Sequence, residues 1–235
     1  MFHYEKAWQE VIARIARAAA AAGRDPTQVR LLAVGKTFPP EAIRAVHALG
    51  QRAFGENYVQ EGAAKADALS DLHDIEWHLV GPLQSNKAAI AASRFAWVHT
   101  IDRLKIAERL SAARSAVAPP LNVCVQVNAS FEASKSGVAP DEAVALATAV
   151  AALPRLSLRG IMGIPEPTDD TDRRRAQFRR LRECLEACRG AGLPADTLSM
   201  GMSADLEDAV AEGATLVRVG TAIFGAREKP AREAA

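Results

Sequence analysis

The sequence predicts an α/β fold: a single (β/α)8 barrel of the TIM type with an additional N-terminal helix. Three observations carry this expectation. Eight short aliphatic or β-branched runs recur along the chain. Helical stretches separate them, many opened by Pro, Asp or Ser, the residues that start helices. The length, 235 residues, lies within the roughly 200–250 over which such a barrel forms one domain. Parallel strands with right-handed crossovers close most economically into a barrel at this number. An open doubly wound sheet is the alternative. Residues 1–235 read as one domain, with no linker, repeat or low-complexity segment to divide them.

Residues 1–23 form the expected extra helix. Trp8, Ile12, Ile15 and Ala19 recur at helical spacing, Gly23 stops the run, and Asp25-Pro26 marks a turn. The strand candidates are Leu31–Gly35, Arg52–Gly55, Glu76–Val80, Trp97–Thr100, Leu121–Val127, Leu158–Ile164, Thr197–Met200 and Leu216–Phe224. Helices start near Pro40, Tyr58, Gln84, Asp102, Asp141, Asp172 and Asp205. The polar tail, 228–235, is expected to be loose.

Composition excludes several classes. Hydrophobic residues at 49% and charged residues at 24% are ordinary for a soluble globular protein. A net charge of +1 creates no global field towards nucleic acid or membrane. The N-terminal stretch carries Glu5, Lys6, Glu10, Arg14 and Arg17, so it lacks the apolar region of a secretory signal. No apolar run is long enough to span a bilayer, and a cytoplasmic location is expected. Cys124, Cys184 and Cys188 suit reduced thiols better than a disulfide framework. No second Cys or His pair accompanies Cys184 and Cys188, so no metal site is expected. Arg173–Arg175 with Arg179 and Arg180 share a helix with Glu183 and Glu186, which reads as a solvated face.

The working residues of a barrel stand at the C-terminal ends of its strands. Lys36 ends the first run, after Leu-Leu-Ala-Val-Gly. Desolvation there lowers a lysine pKa and favours the nucleophilic amine that Schiff-base chemistry needs, unless the chain simply reaches out to solvent. Arg218, within Leu-Val-Arg-Val-Gly, must find an acceptor. That acceptor is either an inward carboxylate or a ligand. Gly220-Thr221 and the segment Ser199–Ser203 suit phosphate, since small residues admit backbone N–H groups and hydroxyls add donors. The glycines equally serve tight turns. His3, His47, His73 and His99 lack metal-ligand spacing, and His78 reads as a hydrogen-bonded barrel residue. Lys135 could receive an anion at the barrel mouth, although solvation is the simpler reading.

The stretches LLAVGKTFPPEAIRAVHALGQRAFGENYVQE, EWHLVGPLQSNK, VQVNASFEASKSGV, GIMGIPEP and LSMGMSADLEDAVAEGATLVRVGTAIFGAR closely resemble the pyridoxal 5′-phosphate (PLP) homeostasis family. Its members are single-domain barrels similar to the N-terminal domain of alanine racemase. The resemblance implies PLP held covalently on Lys36, with Arg218 facing the pyridine nitrogen and Asn57 near the ring. It implies phosphate ligands at Gly220, Thr221 and a serine, Ser203 by spacing or else Ser199. It also implies a protein without robust catalysis that binds PLP, or other B6 vitamers, and passes PLP to apo-enzymes, with a weak racemase-like side activity left open. No long exposed apolar stripe demands a dimer, so a monomer is expected. A racemase needs a second base; its relatives take a tyrosine from an additional domain, and here the tyrosines are Tyr4 and Tyr58. Two further readings stay open: a Schiff-base aldolase acting on a sugar phosphate without PLP, and an interaction module using the basic helix face.

Overall fold

The computed structural model describes residues 2–132 and 135–226; the tail 228–235 lies outside them. Eight parallel strands close into a barrel in chain order, each paired with the next and the last with the first. They are β1 (Arg30–Val34), β2 (Ala53–Glu56), β3 (Glu76–Leu79), β4 (Trp97–Ile101), β5 (Leu121–Gln126), β6 (Leu156–Met162), β7 (Thr197–Ser199) and β8 (Leu216–Val219). The extra helix, α1, is Phe2–Ala21. Around the barrel run α2 (Pro40–His47), α3 (Val59–Ala68), α4 (Ala88–Arg94), α5 (Leu104–Ala113), α6 (Ala143–Ala151), α7 (Thr171–Gly190), α8 (Leu206–Ala211) and α9 (Thr221–Phe224).

The expected barrel is therefore observed, with local differences. The run Leu216–Phe224 does not stay a strand: β8 stops at Val219 and Thr221–Phe224 is helical. A short apolar run does not by itself distinguish strand from helix. Here Phe224 stacks on Phe38 at 5.2 Å and meets Tyr4 edge-on, so α9 packs under α1 instead of extending the sheet. The helix starts expected at Gln84 and Asp141 are 3-10 turns, Ser85–Lys87 and Pro140–Glu142, leading into α4 and α6.

Strand alternation sorts the core into two compartments. Leu31, Ala33, Phe54, Leu79, Val98, Ile161, Val217 and Val219 face the helices and join one large cluster with α1 through Val11, Ile15 and Ala19. The barrel interior holds Leu32, Val34, Ala53, Val80 and Leu216, with a second group of Trp97, Cys124 and Met162. The three cysteines are free and buried. Burial pushes the Cys124 thiol up to about 12, so it packs as an apolar group.

The basic face of α7 is more than a solvated surface. Arg174 and Arg175 both bind Asp208, Arg179 and Arg182 both bind Glu212, and Arg173 binds Glu166. Two carboxylates of the α8 region thus absorb four cations. Among the described residues no helix is long and apolar enough to cross a membrane.

Gly160 marks the tightest strand contact. Its φ is +150°, and a Cβ there would collide with the carbonyl of Thr197 on β7. Gly160→Ala should destabilise the fold by at least about 1–3 kcal/mol from backbone strain alone. Urea unfolding checks this; a midpoint within error of the wild type would refute the close approach.

Candidate functional site

Six side chains or backbone sites brought forward by the sequence meet in one cavity of about 290 Å³ at the C-terminal mouth of the barrel. Lys36, Asn57, Ser203, Arg218, Gly220 and Thr221 all line it. Val34, Val80, Ile164 and Met202 supply apolar wall, and Phe38 closes one side. No carboxylate is among the described residues that line it.

Lys36 enters the cavity because the strand period places it on the face of Leu32 and Val34. The turn that carries it is held from outside the barrel. Lys65 Nζ, on α3, donates to the carbonyl of Gly35 (2.7 Å), to Glu56 Oε1 (2.8 Å) and to Glu61 Oε1 (2.7 Å). Glu61 Oε1 also accepts the backbone N–H of Thr37 at 2.5 Å. Thr37 has φ +69°, unusual for a β-branched residue, and this clamp sustains it. One ammonium thus serves two carboxylates. Burial raises the fully enclosed Glu56 carboxyl to about 7, against the pull of Lys65.

Arg218 projects from β8 into the interior at 5% exposure. Nη1 donates to the Ser199 carbonyl (2.6 Å) and to Ser199 Oγ (2.8 Å), and Nη2 to the Gly163 carbonyl (2.9 Å). Burial lowers its pKa to about 10, with Asp205 opposing, so it stays cationic near neutrality. The inward carboxylate considered as its partner is not found: among the described residues Arg218 forms no ion pair, and neutral oxygens hold it instead.

The loop after β7 is built around Gly201 and Asp205. Gly201 has φ +90°, which turns the chain after the strand. Asp205 Oδ1 accepts the Met202 N–H at 2.6 Å. From α1, Arg14 pairs with Glu207 and donates to the Ser203 carbonyl at 3.2 Å. Ser203 Oγ in turn accepts the Ala222 N–H at 3.4 Å, tying this loop to α9. The additional N-terminal helix therefore buttresses the hydroxyl side of the cavity.

A family profile, alanine racemase N-terminal domain, matches residues 8–228. The chain belongs to this family. A relative from Pseudomonas aeruginosa named pyridoxal phosphate homeostasis protein is 59% identical over 219 residues, 93% of this chain and 94% of that one. A crystal structure of a protein from Bifidobacterium adolescentis superposes with TM-score 0.90 at 36% identity, covering 94% of each chain. PipY of Synechococcus elongatus, solved with PLP bound, superposes with TM-score 0.78 at 39% identity, covering 90% of this chain and 100% of its own.

Within this alanine racemase N-terminal-domain fold, the two candidate serines stand in different places. Ser203 lines the cavity, whereas Ser199 is fully buried beneath Arg218. Tyr58 is 58% exposed and is not among the lining residues. Lys135 is less solvated than expected. Its Nζ is sealed from solvent, lies 3.2 Å from Glu132, and borders a second cavity of about 210 Å³ that shares Val80 and Ile164 with the first. Two groups escaped the sequence reading: the Lys65, Glu56 and Glu61 clamp, and His99, whose Nδ1 lies 2.9 Å from Ser199 Oγ. Inward alternation with Trp97 was the available signal for His99.

Because the Glu56 pKa is raised above the value of 4.5 it has when solvated, its native form gains relative stability at low pH and loses it as pH rises through about 7. Glu56→Gln keeps an acceptor for Lys65 without the titration. The stability of the wild type relative to Glu56→Gln should fall between pH 4.5 and 7. Thermal unfolding across that range tests it; a pH-independent difference would mean the carboxyl is ionised throughout.

Proposed function

We propose that this chain binds PLP as a Schiff base on Lys36, stores it, and releases it to PLP-dependent apo-enzymes, without robust catalysis of its own. The observation that carries the reading is the donor set of one cavity: an amine, a buried guanidinium and two hydroxyls beside an apolar slot, with no carboxylate among the described lining residues. That set fits PLP group by group. A phosphate dianion needs hydroxyl and backbone donors free of competing negative charge, and Ser203, Thr221 and Gly220 offer them. Val34, Val80, Ile164 and Met202 suit a flat heteroaromatic ring. The P. aeruginosa relative and PLP-bound PipY support the same ligand.

PLP supplies a reactive aldehyde and, with a protonated ring, an electron sink for amino-acid chemistry. Arg218 would work against the second property if the ring nitrogen faces it, because a cation there disfavours a proton on that nitrogen. Lys36 would supply the amine that masks the aldehyde, and exchange with an incoming amine would make the binding reversible. Tyr58 is exposed outside the cavity and Tyr4 packs on Phe224, which supports storage over racemisation. The reading carries with it a cytoplasmic monomer and a single domain over residues 1–235.

The test is uptake of PLP by the purified wild type, Lys36→Ala and Ser203→Ala, read by visible absorption after gel filtration. The wild type should retain a yellow cofactor and Lys36→Ala should lose it. Ser203→Ala should bind about 1.5–3 kcal/mol more weakly, the range for a hydrogen bond to a charged group. A colourless wild type, or full retention by Lys36→Ala, would overturn the proposal. Retro-aldol turnover of a sugar phosphate by a colourless protein would favour the aldolase reading.

A further inference from the structure

Beneath Arg218 the barrel interior contains a continuous file of polar groups, none of which lines the cavity. Ser199 Oγ lies 2.8 Å from Arg218 Nη1 and 2.9 Å from His99 Nδ1. His99 Nε2 lies 2.8 Å from His78 Nδ1, and His78 Nε2 lies 2.6 Å from Glu76 Oε1. Ser199, His99 and His78 are all fully buried. Trp97 stacks on His78 at 5.2 Å with its ring 10° from parallel, which fixes the plane of that imidazole. Arg30 pairs with Glu76 at 2.8 Å where the file ends.

The two ends, with both imidazoles neutral, set the direction of every bond between them. A guanidinium only donates. An ionised carboxylate only accepts. Despite burial, the hydrogen bond from His78 and the charge of Arg30 hold the Glu76 carboxyl below its ordinary value. Each middle member must then accept from the Arg218 side and donate towards Glu76. Ser199 O–H donates to His99 Nδ1, His99 Nε2–H donates to His78 Nδ1, and His78 Nε2–H donates to Glu76. Both imidazoles are neutral in this arrangement. Burial supports that state, holding His78 below its ordinary range and His99 well below it. A second proton on either ring would reverse the His99–Ser199 bond and leave the Ser199 hydroxyl proton without an acceptor in the file.

We infer that His99 and His78, acting through Ser199, are positioning residues that set where Arg218 stands against the bound cofactor. The inference rests on the PLP-binding reading. It assigns Ser199 to this file, so the phosphate hydroxyl of the segment is Ser203. No atom of either histidine lines the cavity. Their effect reaches the ligand only through the guanidinium.

The experiment has a part that needs no PLP. Imidazole 15N NMR of the ligand-free protein should show His78 and His99 as neutral Nε2–H tautomers at neutral pH. A protonated ring or an Nδ1–H tautomer at either residue would overturn the file. The second part compares His99→Gln, which keeps one acceptor and one donor, with His99→Leu, which fills the space with neither. Ser199→Ala serves as a second break should His99→Leu fail to fold, as read by circular dichroism. The broken variants should bind PLP about tenfold more weakly, the effect of one hydrogen bond, with a changed visible spectrum. His99→Gln should stay close to the wild type in both. Wild-type affinity and spectrum in a folded His99→Leu or Ser199→Ala would overturn the inference. Absence of PLP uptake by the wild type would instead refute the underlying reading, while the NMR result still judges the file.

Discussion

A guanidinium enclosed in a barrel is the constraint around which this interior is organised. Leaving such a charge buried and unpaired costs several kcal/mol. A contacting carboxylate would satisfy Arg218, but it would also bring negative charge to the cavity. The chain uses neutral oxygens instead, at Ser199 and Gly163, and connects the cation to Glu76 through Ser199, His99 and His78. The cavity above consequently meets a cation whose own partners are dipoles. An anionic ligand experiences that charge with little competition.

The remaining site groups are fixed from the opposite side of the sheet. Leu32, Val34 and Lys36 point inward, and Gly35 presents its carbonyl to Lys65 in the helix layer. The same ammonium gathers Glu56 and Glu61, and Glu61 holds the strained Thr37 turn. Across the mouth, Arg14 of α1 grips both Glu207 and the Ser203 carbonyl. The inner face of the barrel therefore delivers functional groups, and the outer layer stiffens the loops on which they sit. Precision of this kind is what a binding constellation requires.

The sequence made the barrel legible because its evidence is periodic and repeated eight times, so an error in one strand end does not change the closure. Lys36 and Arg218 were legible as polar residues interrupting aliphatic runs, where each demands a reason. The end of β8 was not, because Ala222, Ile223 and Phe224 are as apolar in a short helix as in a strand. Ser199 and Ser203 could not be separated in sequence, since the choice depends on a three-residue strand and on the turn at Gly201. The clamp on the Lys36 turn stayed hidden because Lys65 resembles any helical surface lysine until β2 places Glu56 against it. His99 stayed hidden because one histidine in a strand shows nothing of the neighbour on the next strand.

The central claim is that Lys36 is the amine that captures PLP. Borohydride reduction of the PLP-loaded protein, followed by proteolysis and peptide mass spectrometry, tests it most directly. The account predicts a single stoichiometric pyridoxyl adduct on the peptide containing Lys36. A reduced adduct located on another lysine, with Lys36 unmodified, would contradict it.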